Sequence, residues 1–278
     1  MENLQSLLKI KPFLIMGILN VTKDSFYDGG KFFTLENAVK RAFEMKKEGA
    51  DIIDIGAEST RPFSEGISLD EELQKIEDVL YALKKSNFDL PISVDTQKSE
   101  VAKRAIALGA EIINDVSAGR KDPEILNVVS QNKKFIVLMH MRGTPKNMQV
   151  DPKYEDVLKE VKEELLVFVS NAIKSGIDKD KIIIDPGIGF GKTMEHNIEI
   201  ISHLEKLSSL NYPLLIGVSR KSLIGNVTGA LVEDRLPGTI ALNVFAFLKG
   251  AKIFRVHDVK ENKQALSMAY EVGKNFLT

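Results

Sequence analysis

Three short segments carry cationic and hydroxyl side chains in close spacing: ESTRP (Glu58 to Pro62), SRKS (Ser219 to Ser222) and RVH (Arg255 to His257). Brought together, they supply what a mono- or diphosphate needs, charge-assisted hydrogen bonds worth about 1.5–3 kcal/mol each. Alone, each is an ordinary surface cluster. A second set has the opposite character. Asp95, Asn114 and Asp185 follow directly on β-branched runs, where an unpaired carboxylate costs several kcal/mol on burial and so needs a partner. Two carboxylates and an amide suit a neutral heterocycle rich in N–H donors, such as an aminopyrimidinone, which a carboxylate grips through two parallel hydrogen bonds. A metal site or a general acid/base pair is the rival reading, and the absence of a nearby third hard ligand argues against tight divalent binding by this group.

Two further patterns fail their usual tests. DPGIGFGKT (Asp185 to Thr193) has Pro186 where a P-loop needs Gly and Lys192 where a dinucleotide fingerprint needs Gly. Its three glycines still allow backbone to approach a ligand closely. GVSRK (Gly217 to Lys221) ends in Lys where a nucleophile elbow ends in Gly, so a serine hydrolase is not indicated.

The elements that must position these residues are legible as eight short apolar runs. They are Phe13 to Leu19, Asp51 to Gly56, Pro91 to Asp95, Glu111 to Asp115, Lys134 to His140, Lys181 to Asp185, Pro213 to Ser219 and Lys252 to Asp258. They are nearly continuous, as in parallel strands buried on both faces, and longer segments of helical period separate them. Thr34 caps a helix ending at Gly49, Ser68 with Glu71 has capping-box spacing, and Tyr154 to Lys174 is the longest helix. Eight units with no linker or low-complexity tract favour an α/β fold, a single (β/α)8 TIM barrel over residues 1–278, above a doubly wound sheet with a second domain. The polar strand ends (Asn20 with Asp24, Glu58 to Arg61, Asp95, Asn114, His140 with Arg142, Asp185, Ser219 to Ser222, Arg255 with His257) then converge on the C-terminal rim, where active sites of this fold lie.

Composition narrows the function classes. Thirty-eight Lys and Arg against 39 Asp and Glu leave a net charge of -1, so no global field draws the chain to nucleic acid or to an anionic membrane. The absence of cysteine removes disulfides, thiolate nucleophiles and thiolate metal sites, and the four histidines show no zinc-ligand spacing. No stretch approaches the roughly 20 apolar residues of a membrane span, and a cytoplasmic protein is expected.

The segments MGILNVTKDSFYDGG (Met16 to Gly30), DIGAESTRP (Asp54 to Pro62), SVDT (Ser93 to Thr96), INDVSAG (Ile113 to Gly119), MHMRGTPKNMQ (Met139 to Gln149), DPGIGFGKT, GVSRKS and RVHD, in this order and spacing, resemble the dihydropteroate synthase family of pterin-binding enzymes. The resemblance spans nearly the whole chain. It implies a transferase that condenses 6-hydroxymethyl-7,8-dihydropterin pyrophosphate with p-aminobenzoate, giving 7,8-dihydropteroate and pyrophosphate in folate biosynthesis. Carried over, the pterin pocket comprises Asp95, Asn114, Met139, Asp185 and Lys221. The pyrophosphate site comprises Asn20, Thr60, Arg61, Arg255 and His257, with Mg2+ held by Asn20 and the phosphates. The p-aminobenzoate site comprises Pro62, Phe190, Lys221 and Ser222. Asp24, Asp95, Asp185 and Lys221 are the implied catalytic residues, and a homodimer is the implied assembly. A non-catalytic pterin-binding protein would keep Asp95, Asn114 and Asp185 but lose loop or phosphate residues. A pterin-dependent methyltransferase shares the Asp and Asn grip but not the ESTRP and SRKS pair. The chain departs from the family at Lys23, where Pro is usual, at Tyr27, where Ser is usual, and at Phe63, where Gly is common; Phe63 adjoins the implied p-aminobenzoate edge, where sulfonamide mimics bind.

Overall fold

Apolar runs without alternation form strands covered on both faces. In the computed structural model, which describes residues 4–21, 34–58, 66–144, 148 and 151–274, they give β1 (Leu14–Asn20), β2 (Ile52–Gly56), β3 (Ile92–Asp95), β4 (Ile112–Asp115), β5 (Phe135–Met139), β6 (Ile182–Asp185), β7 (Leu215–Ile216) and β8 (Ile253–Val256). The helices are α1 (Leu4–Ile10), α2 (Leu35–Glu48), α3 (Leu69–Lys85), α4 (Ser99–Ala107), α5 (Glu124–Gln131), α6 (Val157–Lys174), α7 (Met194–Ser202), α8 (Glu205–Ser208), α9 (Ser222–Thr228), α10 (Leu236–Leu248) and α11 (Val259–Gly273). Among them none is long and apolar enough to cross a membrane.

The strands are parallel and lie in the order β6-β5-β4-β3-β2-β1-β8-β7. The two ends meet through one bridge, Ile184 beside Leu214, where Ile184 N donates to Pro213 O at 3.0 Å. The ring closes there, and the architecture is the (β/α)8 barrel that the strand-helix alternation predicts.

Local chemistry sets the element ends. Thr34 caps α2 by accepting from Asn37 N at 3.1 Å, and Gly49 ends it with a left-handed φ of 104°. Ser68 caps α3 by accepting from Glu71 N. Helix α6 starts three residues later than the pattern from Tyr154 suggests, because Asp156 accepts from Lys159 N at 2.9 Å and fixes the first turn. The seven-residue run Pro213 to Ser219 contributes only two strand residues. Pro213 has no N–H for a ladder, and beyond Ile216 the chain turns towards Arg220, whose φ is 56° and whose N–H donates to Thr239 Oγ1 at 2.9 Å.

Alternate strand residues share a face, and this places the site. Met16, Ile52, Ile112, Val137, Ile183, Leu215 and Ile253 form one buried cluster inside the barrel, floored by Leu4 and Leu7 of α1. Two positions further along the same strands come Asp54, Asn114, Met139, Asp185 and Arg255. The opposite faces, including Ile53, Ile55, Ile113, Ile136, Ile184 and Phe254, pack against the helices in a larger cluster with Met45, Leu80, Val129, Leu165 and Leu266. The polar layer thus rests on an apolar floor at the strands' C-terminal ends.

Candidate active site

Arg255 is the centre of the polar layer. Its Nε donates to Asp54 Oδ2 at 2.7 Å and its Nη2 donates to Asp95 Oδ2 at 2.9 Å. Asn114 Nδ2 donates to the same Asp54 oxygen at 3.2 Å, while Asp54 Oδ1, fully buried, has no hydrogen bond. Strand register brings Asp95 beside Asn114 and Met139 beside Asp185. Burial pushes the Asp95 carboxyl up to about 7 against the pull of Arg255, and Asp54 adds to the rise. The sequence groups Arg255 with the phosphate-binding cations, yet its guanidinium is bonded here to Asp95, a carboxylate expected at the heterocycle, and to Asp54. Asp54 was missed, although the signal was the one that exposed Asp95 and Asp185: a carboxylate inside a β-branched run, IIDIG.

Asp185 ends β6 and its Oδ1 accepts from Gly187 N at 2.7 Å. Burial raises its carboxyl from the usual range, and the nearby Lys221 ammonium opposes that rise. Lys221 is itself pushed down to about 8 by burial, with Asp185 holding its proton on. Its Nζ donates to Ile188 O and lies 4.6 Å from the centre of the Phe190 ring. Asp185, Lys221 and Phe190 therefore form one corner. Ser222 is exposed at the start of α9.

On the rim, Asn20 is exposed at the end of β1. His257 follows β8 on the same face as Arg255; its Nδ1 lies 3.0 Å from Ser219 Oγ, and its backbone N–H donates to that oxygen at 3.2 Å. Asp24, Thr60, Arg61 and Pro62, together with Lys23, Tyr27 and Phe63, lie outside the described residues.

Other strand-end groups are turned to structural use. Arg220 of SRKS makes a two-bond pair with Asp258, at 2.7 and 2.6 Å, and so ties the loop after β7 to that after β8. Arg142 binds Glu160 and Glu164 on α6 and lies 4.0 Å above the Tyr154 ring. His140 is buried beneath it, next to Lys192. The glycines expected to admit a ligand serve mainly to admit backbone. Gly187 and Gly191 have left-handed φ values of 66° and 63°, and a Cβ on either would collide with a carbonyl oxygen, of His140 and Arg142 respectively. Only Gly189 faces the site, against the Lys221 side chain.

Among the described residues no group of three or more His, Asp or Glu could hold a metal ion. Asn20 offers a single amide oxygen. That donor set fits Mg2+ only in the manner usual for this ion, with one or two protein ligands completed by waters and substrate phosphates.

Residues 16–257 match the family model described as pterin binding enzyme. The dihydropteroate synthase of Escherichia coli is 44% identical over 252 residues, which is 91% of this chain and 89% of that protein. Among solved structures, Yersinia pestis dihydropteroate synthase in a sulfonamide drug complex superposes with a TM-score of 0.90 at 40% identity, covering 94% of each chain. Xanthomonas albilineans dihydropteroate synthase in complex with 7,8-dihydropteroate superposes with a TM-score of 0.84 at 41% identity, covering 94% of this chain and 93% of that one. On sequence and on fold alike, the chain belongs to the pterin binding enzymes and, within them, to the dihydropteroate synthases.

Proposed function

We propose that the chain condenses 6-hydroxymethyl-7,8-dihydropterin pyrophosphate with p-aminobenzoate, releasing pyrophosphate and forming 7,8-dihydropteroate. The observation that carries this reading is the position of Arg255. One guanidinium is bonded to Asp54 and Asp95 at the heterocycle side and shares a strand face with His257 at the rim, so a pterin and its phosphate tail have adjoining sites.

Asp95 and Asp185 accept hydrogen bonds from the pterin N–H groups, Asn114 and Lys221 complete the ring's polar contacts, and Met139 packs against its face. The bond between the methylene carbon and the pyrophosphate oxygen breaks, and its electron pair leaves with pyrophosphate. Arg255, His257, Asn20, Thr60 and Arg61 bind that anion. As positive charge spreads from the methylene into the ring, the ring N–H groups become more acidic and their bonds to Asp95 and Asp185 strengthen, which is stabilisation specific to the transition state. The family resemblance assigns Asp24 to the methylene cation. The p-aminobenzoate nitrogen, between Pro62, Phe190 and Ser222, then forms the new C–N bond and gives up a proton to solvent. An arylamine is neutral, so no strong general base is required. Asn20 and the phosphates would hold Mg2+, which when bound supplies charge neutralisation at the leaving group.

A coupled assay of pyrophosphate release tests the reading: release should require both substrates and Mg2+. A protein that binds the pterin but never turns over p-aminobenzoate would be a binding protein instead.

The reading includes a homodimer. Leu248 on α10 and Met268 and Val272 on α11 are large apolar side chains left exposed on the outside of the barrel, in a groove lined also by Val244 and Ala265. A contiguous apolar face of this kind marks an interaction surface, and a second copy of the same face is its occupant. Leu248→Asp should shift sedimentation from dimer towards monomer without changing the melting temperature at low concentration by more than about 2 °C; a wild-type monomer would remove this part. The reading extends to a cytoplasmic enzyme.

A further inference from the structure

Lys192 is a buried cation that the reaction does not use. It follows the loop from Pro186 to Gly191, in which Gly187, Gly189 and Gly191 all have left-handed φ values. Its Nζ donates to Gly187 O and Phe190 O, each at 3.0 Å, and lies 2.9 Å from His140 Nδ1. A longer contact of 3.4 Å reaches His140 O; an ammonium has three donors and no acceptor, so the three short partners occupy all of them. For His140 Nδ1 to accept, the imidazole must be neutral with its proton on Nε2. Burial together with the Lys192 charge keeps it so, lowering its pKa to about 4. The protonated Nε2 lies 3.2 Å from Glu164 Oε2, and Glu164 is held down to about 2, chiefly by His140, with Arg142 also pairing with it. Nε2 is buried and makes no hydrogen bond of good geometry, so Glu164 on α6 faces the imidazole as a nearby charge. Burial pushes the Lys192 ammonium down to about 7, and Asp185 holds its proton on against that fall.

The loop's other polar groups are also tied. Lys221 Nζ donates to Ile188 O, Tyr154 OH donates to Gly191 O at 2.9 Å, and Asn197 Oδ1 accepts from Gly189 N at 2.7 Å. Two lysines thereby hold neighbouring carbonyls of one loop. Lys221 belongs to the substrate corner, and its ammonium is needed there; once it turns to a bound pterin, Ile188 O loses that bond. The Lys192 bonds do not depend on substrate.

We propose that Lys192 is the positioning residue for p-aminobenzoate, fixing through Gly187 O and Phe190 O the loop that presents the Phe190 ring. This rests on the assignment of Phe190 to the p-aminobenzoate site made above. Asp185 is placed by the β6 ladder and touches the loop through the bond from Gly187 N, so loss of Lys192 should move the Phe190 end of the loop more than the pterin carboxylate.

Steady-state kinetics on Lys192→Met, Phe190→Ala and the double variant provide the test. Lys192→Met should raise KM for p-aminobenzoate about tenfold or more while changing KM for the dihydropterin pyrophosphate by less than about threefold. Because Lys192 acts through Phe190, adding Lys192→Met to Phe190→Ala should raise the p-aminobenzoate KM by no more than about twofold. Lys192→Gln, which keeps two donors, should fall between wild type and Lys192→Met, and it carries the comparison should the Met variant not fold. Equal rises in both KM values, or effects of the two substitutions that multiply, would make Lys192 a general support of the fold and overturn the proposal. A wild-type protein that forms no dihydropteroate would take down the transferase reading and this one together; an active wild type with an unsplit KM would remove only this one.

Discussion

Asp185→Asn lowers kcat/KM by about two orders of magnitude or more, with the protein still folded. The carboxylate is buried at the end of β6, with one oxygen committed to Gly187 N. Asparagine can keep that bond through its Oδ1. Its other atom then presents an N–H group where the pterin also presents N–H, and two donors face one another in a site with little water. The substitution also removes the charge that holds the proton on Lys221, whose ammonium burial already lowers to about 8. Because the ring becomes more positive as pyrophosphate leaves, the loss falls on the transition state more than on bound substrate, and kcat should drop as well as kcat/KM. Steady-state kinetics with the melting temperature as control check this, and near-normal kinetics would place Asp185 outside the pocket.

Arg255→Ala should be the most damaging single change in the polar layer. It strips the shared partner from Asp54 and Asp95 and leaves two carboxylates facing each other above an apolar floor. Removing one partner of a buried ion pair costs on the order of 3 kcal/mol. The pH dependence identifies the cause. Asp95 has a folded pKa of about 7, raised from 3.8, so the folded form holds a proton that the unfolded chain gives up. Its contribution to stability is present below pH 4 and is lost as pH rises through 7. Without Arg255 the carboxyl rises further, so the loss is larger and extends to higher pH. The melting temperature of Arg255→Ala should therefore trail wild type far more at pH 8 than at pH 5, and calorimetry at pH 8 should show weaker binding of pterin as well as of pyrophosphate. A deficit independent of pH, or one confined to pyrophosphate, would show that Arg255 is not the counter-charge of this layer.

The strands and their polar ends were readable because each run is apolar throughout and then breaks into a charged or amide side chain. A carboxylate such as Asp95 or Asp185 has no reason to end a β-branched run unless a partner waits for it. Which partner waits was not readable. Arg255 reaches Asp54 from 201 positions away and Asp95 from 160, and Arg220 spends its guanidinium on Asp258, facts set by the closure of the ring and not by local sequence. Lys192 was passed over for the same reason. In DPGIGFGKT it is one lysine after a glycine, and only the folded loop shows that its ammonium is enclosed.

The barrel is a ring of unequal links. From β6 through β1 to β7 each neighbour is joined by a ladder, whereas β6 and β7 are joined by the single bridge at Ile184 and Leu214. Such a ring resembles a split washer, whole along seven joints and nearly cut at the eighth. Asp185 and Lys221 stand just beyond the two sides of that cut. The seam is the least paired part of the wall, and the amide of Ile184 should exchange with solvent deuterium earlier than that of Ile53 or Ile113 in the laddered wall.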